Sequence, residues 1–239
     1  MRCQKDMENE DMLKLLLFDI DGTLIRSGGA GRTSMEKAFK KLYGIENGFG
    51  GIEMMGRTDP AILAEALEKH DLELRPDQVS QFMELYFQFL KVEIQVPLEG
   101  KIICPGIPSL LSALQARSDL ILGLLTGNWR TSGMIKLGHF GIDKFFTLGA
   151  FGDDSSIREE LVPVALERFV EKRGERIVKE NVYIIGDTPL DIHCARPHGV
   201  RTVAVATGFH SVEQLAAEEP DFLFQNFKDT DKVLEVLNK

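Results

Sequence analysis

The 239-residue sequence predicts an α/β fold, a doubly wound parallel sheet (a Rossmann-like core) that carries an inserted all-helical domain. Three observations predict it. Short, densely apolar runs recur along the chain, and each stops at a polar cluster. Helical spacings of apolar residues separate these runs. Between about 30 and 102 the helical spacing continues, but no convincing strand interrupts it.

The first run, residues 13–18 (LKLLLF), stops at Asp19. It is too short for a helix and apolar enough for a strand buried on both faces. Residues 120–125 (LILGLL) end at Thr126, Gly127 and Asn128, and residues 182–185 (VYII) end at Gly186, Asp187 and Thr188. A fourth run, 202–205, ends near Thr207 and Gly208. Ile107, Leu110, Leu111 and Leu114 recur at helical spacing, as do Leu161, Val164, Ala165 and Phe169. Ser211 and Gln214 form a capping box ahead of Leu215.

In the insert, Asp59 and Pro60 read as an N-cap followed by proline at the first helical position. Arg75 and Pro76 precede a second helix rich in Phe82, Leu85, Phe89 and Leu90. Gly28, Gly29 and Gly31 mark the entrance, as a hinge or as ordinary loop residues, and Pro105 and Gly106 mark the exit. Roughly seventy residues exceed what a crossover needs. The expected organisation is a tail at 1–11, a core at 12–29 and 103–239, and an inserted helical domain at 30–102.

Composition is that of a soluble globular protein, with 44% hydrophobic and 27% charged residues. The net charge of −9 disfavours nucleic-acid partners, yet leaves small anionic substrates open. Cys3, Cys104 and Cys194 lie far apart without zinc spacing, which predicts a reduced, cytoplasmic protein. No run near the N-terminus is long enough for a signal peptide or membrane span, so no membrane partner is expected.

Ligands of open α/β sheets bind beyond the carboxyl ends of the strands, where three polar clusters fall. Asp19 and Asp21 are two apart, so both face one crevice if the extended backbone persists. Gly22 permits a sharp turn and Thr23 supplies a hydroxyl. Thr126, Gly127 and Asn128 offer a hydroxyl and free N–H groups for an anion such as phosphate. Asp187 closes its strand, and Asp191 shares a helical face with it. Converging carboxylates call for a hard cation with oxygen ligands, Mg²⁺ first among them. A zinc reading of Asp191, His193, Cys194 and His198 matches no standard spacing and is set aside for a packed helix.

These motifs resemble the haloacid dehalogenase superfamily, in the phosphoglycolate-phosphatase-like branch with a helical cap. The likeness rests on the apolar strand with Asp19, Asp21, Gly22 and Thr23, the strand ending at Thr126, the acidic cluster of Asp187 and Asp191, and the cap inserted after the first motif. It implies a Mg²⁺-dependent phosphatase acting on a small phosphorylated metabolite, phosphoglycolate-like or a sugar phosphate, as monomer or homodimer. Asp19 would be the nucleophile that forms an aspartyl-phosphate, and Asp21 the general acid and base. Thr126 and backbone N–H groups, with Gly22, Thr23, Gly127 and Asn128 alongside, would hold the phosphate. Asp19, Asp21 through its carbonyl, Asp187 and Asp191 would bind or orient the metal. Arg57 would meet a substrate carboxylate or second phosphate, or else stand solvated at a helix start. Trp129 would line the pocket or pack the following helix.

The sequence departs from the pattern where a lysine is expected before the helix leading to the fourth motif. Residues 152–158 read GDDSSIR, and Arg158 is the nearest cation. Arg158 is expected to take the lysine's place, the alternatives being a surface pair with Glu159 or Asp154, with Lys144 and Lys136 as other candidates for the role. Competing functions are a phosphomutase of the same superfamily, haloacid dehalogenation through Asp19, and a non-catalytic phosphate-binding module.

Overall fold

The computed structural model describes residues 13–237. Cys3 and the expected 1–11 tail lie outside the described residues. Six parallel strands form the central sheet in the order β5-β4-β1-β6-β7-β8. They are β1 (Lys14–Phe18), β4 (Leu120–Leu125), β5 (Leu148–Ala150), β6 (Val182–Gly186), β7 (Arg201–Val205) and β8 (Phe222–Phe224). Two short strands, β2 (Ile25–Ser27) and β3 (Lys101–Ile103), pair antiparallel as a separate ribbon.

The alternation of β1 builds two cores at once. Leu16 and Phe18 join a cluster with Ile107, Leu110, Leu111 and Leu114 of α4 (Ile107–Gln115) and with Val233 of α9 (Thr230–Leu237). Leu13, Leu15 and Leu17 join the opposite cluster with Leu161, Ala165 and Phe169 of α6 (Leu161–Arg173). Tyr183 and Ile185 of β6 repeat the first face, Val182 and Ile184 the second. Helices therefore cover both faces of the sheet. A buried Leu or Phe is worth about 1.5–3 kcal/mol each, so β1 alone anchors much of the core.

The insert contains α1 (Ala30–Tyr43), α2 (Asp59–Lys69) and α3 (Pro76–Glu93). It has its own cluster, in which Phe39, Phe49, Phe82 and Tyr86 are fully buried. Trp129, at the start of α5 (Arg130–His139), belongs to this cluster and packs against Phe82, Tyr86 and Phe87. It thus fastens the insert to the sheet instead of lining the cavity.

Several expectations needed revision at the element level. Lys101–Ile103 is a strand although the insert reads as helical to 102, and β2, β5 and β8 lack a legible signal in their three residues each. The cap of α2 is Thr58, with Asp59 at the first helical position. Thr58 Oγ1 accepts from Ala61 N (3.3 Å), while the Asp59 carboxylate is committed elsewhere. The capping box of Ser211 and Gln214 forms at α8 (Val212–Ala216), and Pro76 opens α3 as expected.

Candidate active site

Strand β1 sits between β4 and β6, which the chain reaches by crossovers in opposite directions. The crevice beyond its carboxyl end is the switch point where such sheets hold ligands. Asp19, Thr126 and Asp187 emerge there from β1, β4 and β6, and all three line one cavity of about 760 Å³. Asp21, Gly22, Gly127, Asn128, Arg57 and Arg158 line it too. The expected convergence of strand ends is therefore present.

Arg158 is the electrostatic centre. Only 8% exposed, it donates from Nη2 to Asp19 Oδ1 (2.9 Å) and to Asp191 Oδ1 (2.5 Å). Its Nη1 donates to the Gly56 carbonyl of the insert (3.0 Å). A surface pair with Asp154 is excluded, because Asp154 is held by Arg168. Lys144 lies over the Phe145 ring, away from the cavity lining.

Asp19, Asp187 and Asp191 are buried, and one oxygen of each lies within 4.8 Å of the others. Burial raises the Asp19 carboxyl to about 6 against the pull of Arg158, and Asp191 and Asp21 push it the same way. Burial and the neighbouring Asp19 and Asp191 raise Asp187 well above the carboxylate range. One guanidinium leaves this cluster with excess negative charge, so its all-oxygen donor set fits a hard divalent cation such as Mg²⁺. Gly22, at φ +92°, and Gly208 allow the backbone to close over Asp187. A Cβ on Gly208 would fall 1.7 Å from Asp187 Oδ2, and one on Gly22 would fall 2.3 Å from it.

Asp191 is less free than the sequence suggests. Its Oδ2 accepts from Thr188 N (3.0 Å) and Thr188 Oγ1 (2.7 Å), a capping box at the start of α7 (Pro189–Ala195), and its Oδ1 takes Arg158. It is built to orient the cluster. Thr23 has a side-chain partner as well. Fully buried, it donates its hydroxyl to Asp187 Oδ1 (2.9 Å) and so positions a carboxylate.

Asp21 lines the same cavity and is more exposed than Asp19. Ser27 Oγ donates to its Oδ1 (3.3 Å), while Asn128 Nδ2 (3.0 Å) and Lys136 Nζ (2.5 Å) donate to its Oδ2. Lys136 also donates to Asn128 Oδ1 (2.6 Å), and Asn128 Nδ2 to Thr126 Oγ1 (2.9 Å). The Asn128 amide thus organises Asp21, Thr126 and Lys136. Lys136 carries more of the site than its sequence position suggests. Its signal was the helical spacing from Ser132 along a helix that follows a strand-end motif.

Asp59 was not a candidate from the sequence, yet it ties the insert to the site. Its Oδ2 accepts from Trp129 N (2.9 Å) and Ser132 Oγ (3.1 Å), and its own N–H donates to Gly127 O (2.7 Å). Burial lifts its carboxyl to about 6, against the pull of Lys136 and the Trp129 N–H. Arg57 pairs with Glu65 and donates to Glu53 O, so its charge is already engaged. The zinc alternative does not form, since His193 pairs with Glu218 and His198 meets Glu159 O. Burial raises the thiols of Cys104 and Cys194 to about 12, so neither serves as a thiolate nucleophile at neutral pH.

Residues 16–205 match the haloacid dehalogenase-like hydrolase family. The chain belongs to that family. It is an enzyme of the hydrolase class, in the branch of the phosphoglycolate phosphatases. Phosphoglycolate phosphatase of Salmonella typhimurium is 25% identical across 93% of this chain and 93% of its own length. Pyrophosphatase PpaX of Oceanobacillus iheyensis is 27% identical across 91% of this chain and 94% of its own. Among solved structures, a predicted phosphoglycolate phosphatase from Haemophilus somnus superposes with a TM-score of 0.68 at 23% identity, covering 93% of this chain and 98% of its own. A β-phosphoglucomutase from Clostridium difficile reaches 0.71 at 17% identity, covering 95% and 97%. Both have the same fold.

Proposed function

We propose that the protein is a Mg²⁺-dependent phosphatase that hydrolyses a small phosphomonoester through an aspartyl-phosphate on Asp19. The observation that carries this is a buried Asp19 held by Arg158 and clustered with Asp187, with the more exposed Asp21 lining the same cavity. The phosphatases among the relatives support it.

Asp19 attacks phosphorus with one carboxylate oxygen, the bond to the leaving oxygen breaks, and Asp21 delivers a proton to that oxygen. Asp21, now ionised, then takes a proton from the water that attacks phosphorus, and Asp19 leaves as carboxylate. Ser27, Asn128 and Lys136 hold Asp21 in register for both transfers. Thr126 and the adjacent backbone N–H groups face the phosphate oxygens, and Arg158 offsets the charge that accumulates on them.

Asp19, Asp187 and the backbone carbonyl of Asp21 would hold the metal, with Asp191 orienting the cluster. Bound there, Mg²⁺ reduces repulsion between an anionic nucleophile and an anionic phosphate. The helical segment 30–102 acts as a cap over this cavity, between flanking core segments. The unpaired, buried Cys104 and Cys194 support a cytoplasmic setting, and among the described residues no helix is long and apolar enough to cross a membrane.

Phosphate release from a panel of esters, with and without Mg²⁺, tests the reading. Metal-dependent turnover that Asp19→Asn abolishes is expected, and turnover surviving in that variant would refute the nucleophile. Transfer of phosphate to a sugar in place of water would reassign the protein as a mutase.

A further inference from the structure

The wall of the cavity speaks to the body of the substrate, which the reacting carboxylates do not. Its volume of about 760 Å³ falls in the upper part of the roughly 300–1,000 Å³ that holds ligands much larger than a two-carbon acid. Met35, Met54, Met55, Ile62, Leu98 and Phe209 line it. Leu98 is 55% exposed and Phe209, in the loop after β7, 83% exposed. A phenyl ring and an isobutyl group left in water at the mouth of a catalytic cavity are apolar surface without a partner in the fold.

Several polar groups of the same wall have partners within the fold. Arg57 faces Glu65, Arg26 donates from Nε and Nη2 to Thr207 O, and Arg32 donates to Phe49 O. Glu53 accepts from the N–H groups of Met54 and Met55, and Ser27 and Asn128 serve Asp21. A second carboxylate on the substrate would meet Glu53 and Glu99 as well as Arg26, Arg32 and Arg57 in the lining. Thioethers, by contrast, adapt to irregular apolar shapes.

We infer that the substrate is the phosphomonoester of an alcohol with an apolar body, aromatic or aliphatic, seated against Met54, Met55, Leu98 and Phe209. This rests on the phosphatase reading and names its substrate class.

The test compares kcat/KM at saturating Mg²⁺ for ethyl, hexyl and benzyl phosphate, phosphoglycolate and glucose 6-phosphate, all esters of alkyl alcohols. Hexyl and benzyl phosphate are expected to exceed ethyl phosphate by at least about tenfold, since each buried methylene favours binding several-fold. They should also exceed phosphoglycolate and the sugar phosphate. Leu98→Ser and Phe209→Ser, both at exposed positions, should lower the hexyl-to-ethyl ratio. Preference for phosphoglycolate or glucose 6-phosphate, or a ratio unmoved in both variants, would overturn this substrate class and leave the phosphatase reading standing. Absence of turnover with every ester by folded protein would overturn both.

Discussion

At the scale of single residues, Arg158 decides most. A lysine ammonium is a compact charge, whereas the guanidinium fork holds Asp19, Asp191 and the Gly56 carbonyl together. Arg158→Ala is expected to lower kcat by about 10²–10³ and to cost roughly 3–5 kcal/mol of stability by stranding buried carboxylates. Arg158→Lys should recover part of the rate, because charge returns without the fork. Steady-state kinetics with urea unfolding checks both, and an unchanged kcat in Arg158→Ala would shift the charge-neutralising role to another cation. The clustering of Asp19, Asp187 and Asp191 was legible because carboxylates that follow the ends of β1 and β6 converge in such a sheet. The side-chain partners of Thr23 and Asn128 were not legible, for a physical reason. Sequence reveals a hydroxyl or amide near a site, but not whether its hydrogen bonds go to substrate or to a neighbouring side chain.

At the scale of elements, the start of α2 and the loop after β7 control how the site is assembled. Asp59 fastens α2 to the start of α5 through Trp129 and Ser132. Its folded carboxyl keeps a proton to pH about 6, whereas its ordinary value is 3.8. The folded state therefore binds more protons between those values, and stability falls as pH rises from about 4 to 6. The loss amounts to at most about 3 kcal/mol, at roughly 1.4 kcal/mol per pH unit. Asp59→Asn, whose amide oxygen can still accept both bonds, should flatten that part of the profile. Urea unfolding at pH 4 and 7 measures it, and equal slopes in wild type and variant would show that Asp59 does not titrate as described. In the loop after β7, Gly208→Ala would drive a methyl group into Asp187. Mg²⁺ affinity should fall by about 10–100-fold, as when a ligand's support is removed, and an unchanged Mg²⁺ titration would contradict the cradle.

At the scale of the whole molecule, the sheet was readable because β1, β4, β6 and β7 are runs buried on both faces. β2, β3, β5 and β8 have three residues each, and their pairing is set by partners distant in sequence. The helical character of the insert was readable from its apolar spacing, but its attachment through Asp59 and Trp129 was not. Mg²⁺ should raise the melting temperature, because a cluster of three buried carboxylates exists only in the folded chain. Absence of a shift at saturating Mg²⁺ would argue against metal binding at that cluster. The central claim is that Asp19 carries phosphate covalently. Borohydride added during turnover of a phosphomonoester with Mg²⁺, followed by peptide mass spectrometry, tests it most directly. The account predicts conversion of Asp19 to homoserine in the wild type and none without substrate. Turnover with Asp19 left intact, or reduction at a different carboxylate, would contradict it.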